Sequence, residues 1–386
     1  MEPQTFVPAL ADDSLTELRH RLTRTRWPDV IGEDTWRYGV PQDWLRSMVE
    51  YWLDEWDWPA EAERMGRWRH HRVDVDGVPI HWLHAPAAHP DAPPLVLTHG
   101  WPWTFWDFRD VIGPLSRPEE HGGDPADAFD VYVPSLPGFG FSTPLTTAGV
   151  DVARVAELWV TLMTDVLGFD RFAAHGGDWG ALVTAQLSHA HARHLIGAHL
   201  AMAFVPGVDR SSLPDDAWAD DEDWMVRRNR EAQPLIRSHV TAHTLDPQTL
   251  AYGLSDSQIA TADWFWERRR NWADCDGDIE SVFTREHLCT TAALYWCTGA
   301  ITSSLRLYHE QFSGSWDLVH DRSPRLEAPT GVAVFPRDVV HLPRSVLQQH
   351  ADLRRHTLMP AGGHFGAAEQ PELLVDDLRA FFRPLR

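Results

Sequence analysis

Asp178, Asp338 and His364 are the residues whose types and settings could do chemistry together. Asp178 stands in His175-Gly176-Gly177-Asp178-Trp179-Gly180. An apolar run, Arg171-Phe172-Ala173-Ala174, precedes it, and a helical pattern through Ala181, Leu182, Val183, Ala185 and Leu187 follows. Strand, glycine-flanked acid and helix describe a sharp turn that lifts one side chain above a sheet, the way a nucleophile is presented. Side chains at Gly176 or Gly180 would collide with neighbouring backbone there, and glycine alone tolerates such angles cheaply. The positive end of the following helix is a favourable place for a carboxylate. Taken singly, an Asp at a helix start is as readily a cap. Asp338 closes the strand pattern Gly331-Val332-Ala333-Val334-Phe335, and His364 lies in Gly362-Gly363-His364-Phe365 after the strand pattern Arg355 to Met359. Singly these read as another cap and a packed core histidine. Jointly they supply a nucleophile, an orienting acid and a histidine able to activate water.

The remaining elements must bring those strand ends together. Residues 1–72 read as an N-terminal helical belt. Ser14-x-x-Glu17 is a capping-box pattern ahead of Leu15, Leu18 and Leu22, and a second helix from about Pro41 carries the stripe Leu45, Met48, Val49, Trp52 and Trp56. From His71 the pattern becomes β, with Asp76-Gly77 as a hairpin turn. Pro94 to Thr98 reads as a buried strand running into His99-Gly100-Trp101-Pro102. Phe129 to Pro134 is the next, running into Leu136-Pro137-Gly138-Phe139-Gly140, a loop expected at the pocket edge. Asp151 caps an amphipathic helix that stops at Gly168. Strands alternating with helices imply a parallel sheet covered on both faces, with ligands at the carboxyl ends of the strands. The expected division is a belt over 1–72, an α/β core over 73–203, a helical, tryptophan-rich lid over 204–325, and the rest of the core over 326–386.

Bulk properties narrow the field. The 386 residues carry 34 Lys+Arg against 56 Asp+Glu, a net charge of −22. That sign argues against nucleic acid or an anionic membrane as partner. Three cysteines without a C-x-x-C pattern suit a reducing compartment, and no apolar run reaches bilayer-spanning length. A cytoplasmic protein, monomeric or homodimeric, is expected.

The order nucleophile, acid, histidine is that of the α/β-hydrolases. Within them the chain resembles the microsomal-type epoxide hydrolases, bacterial branch. The resemblance rests on Leu18 to Pro28, His99-Gly100-Trp101-Pro102 and His175 to Gly180. It extends through Leu294-Tyr295-Trp296-Cys297-Thr298-Gly299, Ser303 to Tyr308 and Gly362-Gly363-His364-Phe365, so it covers nearly the whole chain. It implies an α/β-hydrolase fold with an inserted lid, a small-molecule epoxide as substrate, and no cofactor or metal. A carboxylate can open the strained ring and leave an alkyl ester that water can cleave; a serine ether could not be cleaved afterwards. Asp178 would be the nucleophile, and His364, oriented by Asp338, would activate the water. The backbone N–H groups of Trp101 and Trp179 would hold the oxyanion. His99, Pro102, Phe139 and Phe365 are expected around the pocket.

In the family two lid tyrosines assist ring opening. Tyr308 matches one; the other position falls near His239, a departure from the pattern. His239 could donate a hydrogen bond, donate a proton when charged and so favour acid, or only shape the pocket, with Tyr308 acting alone. Tyr252 is the substitute if the alignment shifts. Trp218, Trp224, Trp264, Trp266 and Trp272 suggest a bulky, aromatic epoxide of secondary metabolism, although such rings also pack helices. His189, His191, His194 and His199 lack metal-ligand spacing and read as a solvated or packed helix face. Two other classes remain: a haloalkane or haloacid dehalogenase using the same Asp178, and a binding protein that kept the fold.

Overall fold

The computed structural model describes residues 2–32 and 35–386. A nine-stranded sheet runs β1 (Gln4–Thr5), β2 (Arg69–Val75), β3 (Val78–Ala85), β5 (Asp130–Pro134), β4 (Pro94–Thr98), β6 (Phe172–Gly176), β7 (Leu195–Leu200), β8 (Leu326–Val334) and β9 (Ala351–Leu358) in spatial order. The pairings from β1 to β5 are antiparallel and those from β5 to β9 are parallel. The chain leaves β4 for β5 on one side, then crosses to β6 on the other. The crevice beyond the ends of β4 and β6 is therefore a switch point, where α/β sheets bind ligands.

The N-terminal segment holds α1 (Asp12–Thr23), α2 (Gln42–Asp54) and α3 (Trp58–Met65). The expected capping box at Ser14 is not formed. The N-cap lies three residues earlier, at Ala11, without a side-chain bond, and Asp12 and Asp13 in the first turn of α1 meet the helix dipole instead. Helix α2 buries Leu45, Met48, Val49 and Trp52 as its period demands. Trp52 and Trp44 pack on Trp266 at ring distances of 5.8 and 5.7 Å, and Trp56 Nε1 donates to Thr290 Oγ1 at 3.0 Å. Such ring pairs contribute about 0.5–1.5 kcal/mol each beyond area burial, so the belt fastens the lid.

Helices α4 (Arg109–Ser116), α5 (Val152–Thr161) and α6 (Trp179–Ala190) cover the sheet. Asp151 caps α5 by accepting from Arg154 N at 2.8 Å, and Gly168, at φ +81°, ends the turn that prolongs it. Every residue of α6 from Trp179 to His189 is buried. The chain then forms α7 (Asp223–Leu245), α8 (Pro247–Asp256), α9 (Gln258–Trp272), α10 (Arg285–Cys297) and α11 (Ile301–Phe312), with α11 packed on α7 and α8. Helices α10 and α11 follow one another closely, parted where Gly299 takes φ +70°. Helix α12 (Arg344–His350), the short α13 (Gly366–Glu369) and α14 (Pro371–Phe382) complete the chain. No helix among the described residues is long and apolar enough to cross a membrane.

Candidate active site

Strand β6 delivers Asp178 into a conformation, φ 50° and ψ −125°, that a residue with a Cβ adopts only under strain. Three glycines make room for it. A Cβ on Gly176 would lie 2.1 Å from the carbonyl oxygen of Gly180, and one on Gly180 1.9 Å from that of Thr98. A Cβ on Gly100 would lie 2.3 Å from Asp178 Oδ1 itself. The strand–turn–helix reading is thus enforced by close backbone approach. Asp178 precedes α6, yet its side chain makes no capping bond. Its Oδ1 accepts from the backbone N–H of Trp101 at 2.7 Å, and Oδ2 lies 3.2 Å from His364 Nε2. That second approach lacks the alignment of a hydrogen bond, which leaves Nε2 without a straight partner among the described residues.

Asp338 and His364 meet as the strand ends required. His364 Nδ1 donates to Asp338 Oδ1 at 2.7 Å, and the same oxygen accepts from Val339 N at 2.6 Å. Burial opposes a charge on His364, but the Asp338 carboxylate, aided by Asp178, outweighs it and raises the imidazole to about 10. The backbone of the His364 loop is fixed from two sides. His364 N donates to Trp272 O at 3.0 Å, at the end of α9. Glu369 accepts from Gly363 N at 2.8 Å and Phe365 N at 2.7 Å, the residues flanking His364, and from Asp274 N at 2.7 Å. Glu369 was not singled out from the sequence; only its place five residues after His364 could have hinted at it.

A cavity of about 310 Å³ opens over Asp178 and His364. Its walls come from Met202 to Val208, from Ile236 to Val240 on α7, from Tyr308 and Phe312 on α11, and from Val339 to Leu342. Tyr308 and His239 both face it. Burial, followed by nearby Asp178, pushes the Tyr308 phenol well above its ordinary range, so it remains a donor. His239 stacks on Trp101 at 5.1 Å, with its ring 5.5 Å from that of Tyr308. Burial, then His243, Arg268 and His364, holds it well below the usual histidine range. The option of a charged, acid-favouring His239 is therefore disfavoured, and a neutral N–H donor fits. Its Nδ1 is buried without a partner among the described residues.

Other expected site residues lie elsewhere. His99 is fully buried, its Nδ1 set on Gly100 O at 2.9 Å and its Nε2 accepting from Leu136 N at 3.0 Å. Phe139 packs on His99 and Tyr295, and Phe365 on Trp103 and Trp272. Pro102 O accepts from Arg269 at 2.9 Å, and Arg269 also pairs with buried Asp107 at 2.7 Å. None of these four lines the cavity. They pack behind the site; from their loops it is the backbone N–H of Trp101 that reaches it, donating to Asp178 Oδ1. Tyr252 is 72% exposed, which removes it as the second tyrosine. Of the five lid tryptophans only Trp272 lines the cavity. Trp266 packs the belt, Trp264 lies under Arg268 and Trp224 against His341, while Trp218 lines an adjoining cavity, so most of the rings pack helices and only two face open space. The four histidines after the elbow do not share a helix face. His189 ends α6, whereas His199 sits on β7 bonded to His175 and Asp377.

Known proteins bear on this arrangement. Residues 3–108 match the family model "Epoxide hydrolase N terminus", and residues 93–272 match "alpha/beta hydrolase fold". A Stigmatella aurantiaca protein provisionally named an epoxide hydrolase is 37% identical over 382 residues, 99% of this chain and 85% of its own. Epoxide hydrolase 1 of Oryctolagus cuniculus is 30% identical over 401 residues, 97% of this chain and 88% of its own. The solved epoxide hydrolase of Aspergillus niger superposes with a TM-score of 0.86 at 25% identity, covering 100% of this chain and 97% of that one. With a nucleophile elbow, a helical cover and relatives matched along nearly its full length, the chain belongs to the epoxide hydrolase family of the α/β-hydrolase superfamily.

Proposed function

We propose that the protein hydrolyses an epoxide to a vicinal diol through an ester on Asp178. One observation carries the reading. Asp178 has one carboxylate oxygen bound by a backbone N–H and the other beside a buried histidine, with a phenol and an imidazole across an apolar cavity. Oδ2 attacks a ring carbon from behind, the ring C–O bond breaks, and Tyr308 donates its proton to the departing oxygen. A neutral His239 N–H provides a second hydrogen bond where the family uses a tyrosine. Oδ1 becomes the ester carbonyl oxygen, already seated on Trp101 N, with Trp179 N at the start of α6 as the second donor.

Alkylation then changes the histidine. In the free protein two carboxylates sustain the charge on His364. Once Asp178 is an ester one of those charges is gone, so His364 gives up its proton, which restores the Tyr308 phenol. The neutral imidazole takes a proton from water, the hydroxide attacks the Asp178 carbonyl carbon, and the oxyanion develops on Oδ1. Collapse breaks the ester C–O bond and releases the diol, which keeps the Asp178 acid proton, leaving carboxylate and imidazolium as at the start. Asp338 holds the imidazole in the tautomer and orientation this requires.

The test is to trap the ester. His364→Gln incubated with a terminal epoxide should carry one substrate mass on the peptide containing residue 178, whereas Asp178→Asn should carry none. An adduct on freshly prepared Asp178→Asn would contradict the assignment.

A further inference from the structure

A second cavity, of about 250 Å³, adjoins the catalytic chamber, and Arg210, Ile236 and Val339 line both. One face of α7 runs through the two: Val226, Arg230, Gln233 and Ile236 at helical spacing, then Val240 in the chamber. The inner space is walled mostly by apolar side chains, but the outer one holds Arg210, Arg230, Ser211 and Gln233. Neither arginine makes a hydrogen bond or ion pair among the described residues. Other lid arginines are committed: Arg228 to the carbonyls of Arg337 and Asp338, Arg268 to Glu267, Arg269 to Asp107 and Arg285 to Glu280. Arg227 and Arg237 are unpaired as well, but line neither cavity. Asp215 is the one carboxylate lining the outer cavity among the described residues; Asp209 lines the inner one, is held by Ser211 N at 2.9 Å and Ser211 Oγ at 2.7 Å, and together with Asp338 attracts Arg210. Two guanidiniums against one carboxylate stand out on a chain of net charge −22.

We propose that this outer cavity is an anion subsite, and that the substrate is an epoxide bearing a carboxylate at the end remote from the ring. The inference rests on the epoxide-opening reading of the inner chamber. The ring would meet Asp178 while an apolar chain crosses the wall formed by Ile236 and Val339. The carboxylate would reach Arg210 and Arg230, whose planar donor forks match its two oxygens. A positive rim also offsets the repulsion that the chain's overall charge exerts on an anionic substrate.

Three probes of one length decide it: an ω-epoxy medium-chain carboxylic acid, its methyl ester, and the terminal epoxide of the matching alkane. The wild type should favour the acid over the ester in kcat/KM by about tenfold, a difference of about 1.4 kcal/mol. Arg230→Gln, at a position that lines only the outer cavity, should remove most of that preference through KM, leaving kcat and the rates on the two neutral epoxides within about twofold. Arg230 is exposed and makes no hydrogen bond or ion pair among the described residues, so folding is not at stake. Equal rates on acid and ester in the wild type, or a variant that slows all three probes alike, would overturn the subsite. Absence of turnover on all three probes would instead count against the hydrolase reading. Calorimetry with octanoate and octanol judges the subsite independently: octanoate binding that Arg210→Gln weakens supports it, and octanoate binding no tighter than octanol overturns it.

Discussion

Two of the buried histidine–aspartate pairs among the described residues invite comparison, and only one of them is open to a ligand. His364 and Asp338 are joined at 2.7 Å, His199 and Asp377 at 2.9 Å. In the second pair everything is spoken for. The other nitrogen of His199 meets His175 Nδ1 at 2.9 Å, and the other oxygen of Asp377 accepts from Arg355 at 2.6 Å. In the first pair Nε2 turns to a cavity and to a second carboxylate held in a strained turn. A histidine–aspartate contact is therefore not itself a catalytic feature. What differs is an uncommitted nitrogen, an adjacent second carboxylate and an open cavity.

Substitutions should separate the two pairs sharply. The largest effect is expected from Asp178→Asn, with turnover down by about 10⁴ or more as for other removed nucleophiles. His364→Gln should reduce steady-state turnover by about 10³–10⁴ but leave a stoichiometric burst of ester, which rapid-quench mass spectrometry would count. Tyr308→Phe should lower kcat by about 10²–10³. His239→Phe should cost about tenfold and His239→Tyr less than that; if both matched the parent, His239 would have no chemical part. Asp377→Asn should change kcat by less than about threefold while costing about 2 kcal/mol of stability, because it leaves Arg355 and His199 without their carboxylate.

The pairs should also part in their pH dependence. Burial opposes the charge on Asp377, but His199 and Arg355 prevail and hold it at about 2 against an ordinary 3.8. Its stabilisation is complete above 3.8 and is lost as pH falls through 2. His364 is raised from 6.5 to about 10, so its stabilisation is complete below 6.5 and is lost as pH rises through 10. Melting curves should therefore merge with the parent's at opposite ends of the scale: Asp377→Asn in acid, below about pH 2, and Asp338→Asn in base, above about pH 10.

The strand ends that carry Asp178, Asp338 and His364 were legible because their signals are local: glycine spacing around Asp178, and apolar strands stopping short of Asp338 and His364. The cavity walls were not. They come from four separate stretches, and Met202, Ile236 or Val340 resembles any core residue until the chain brings them together. Strand β7 escaped notice because Gly197 and His199 dilute its apolar pattern. The side chains of His99, Pro102, Phe139 and Phe365 were assigned to the pocket because their loops border it. In fact the backbone N–H of Trp101 reaches the site while those side chains pack behind it. His239 shows the opposite case: a departure from the family pattern, visible in sequence, that occupies a wall of the chamber.

Oxygen tracing tests the central claim most directly. A single turnover in ¹⁸O-labelled water, with enzyme in excess over a terminal epoxide, should place the label in the side chain of Asp178 and leave the first diol unlabelled. Label found wholly in the diol, with none in residue 178, would mean that water opens the ring itself and that no ester forms.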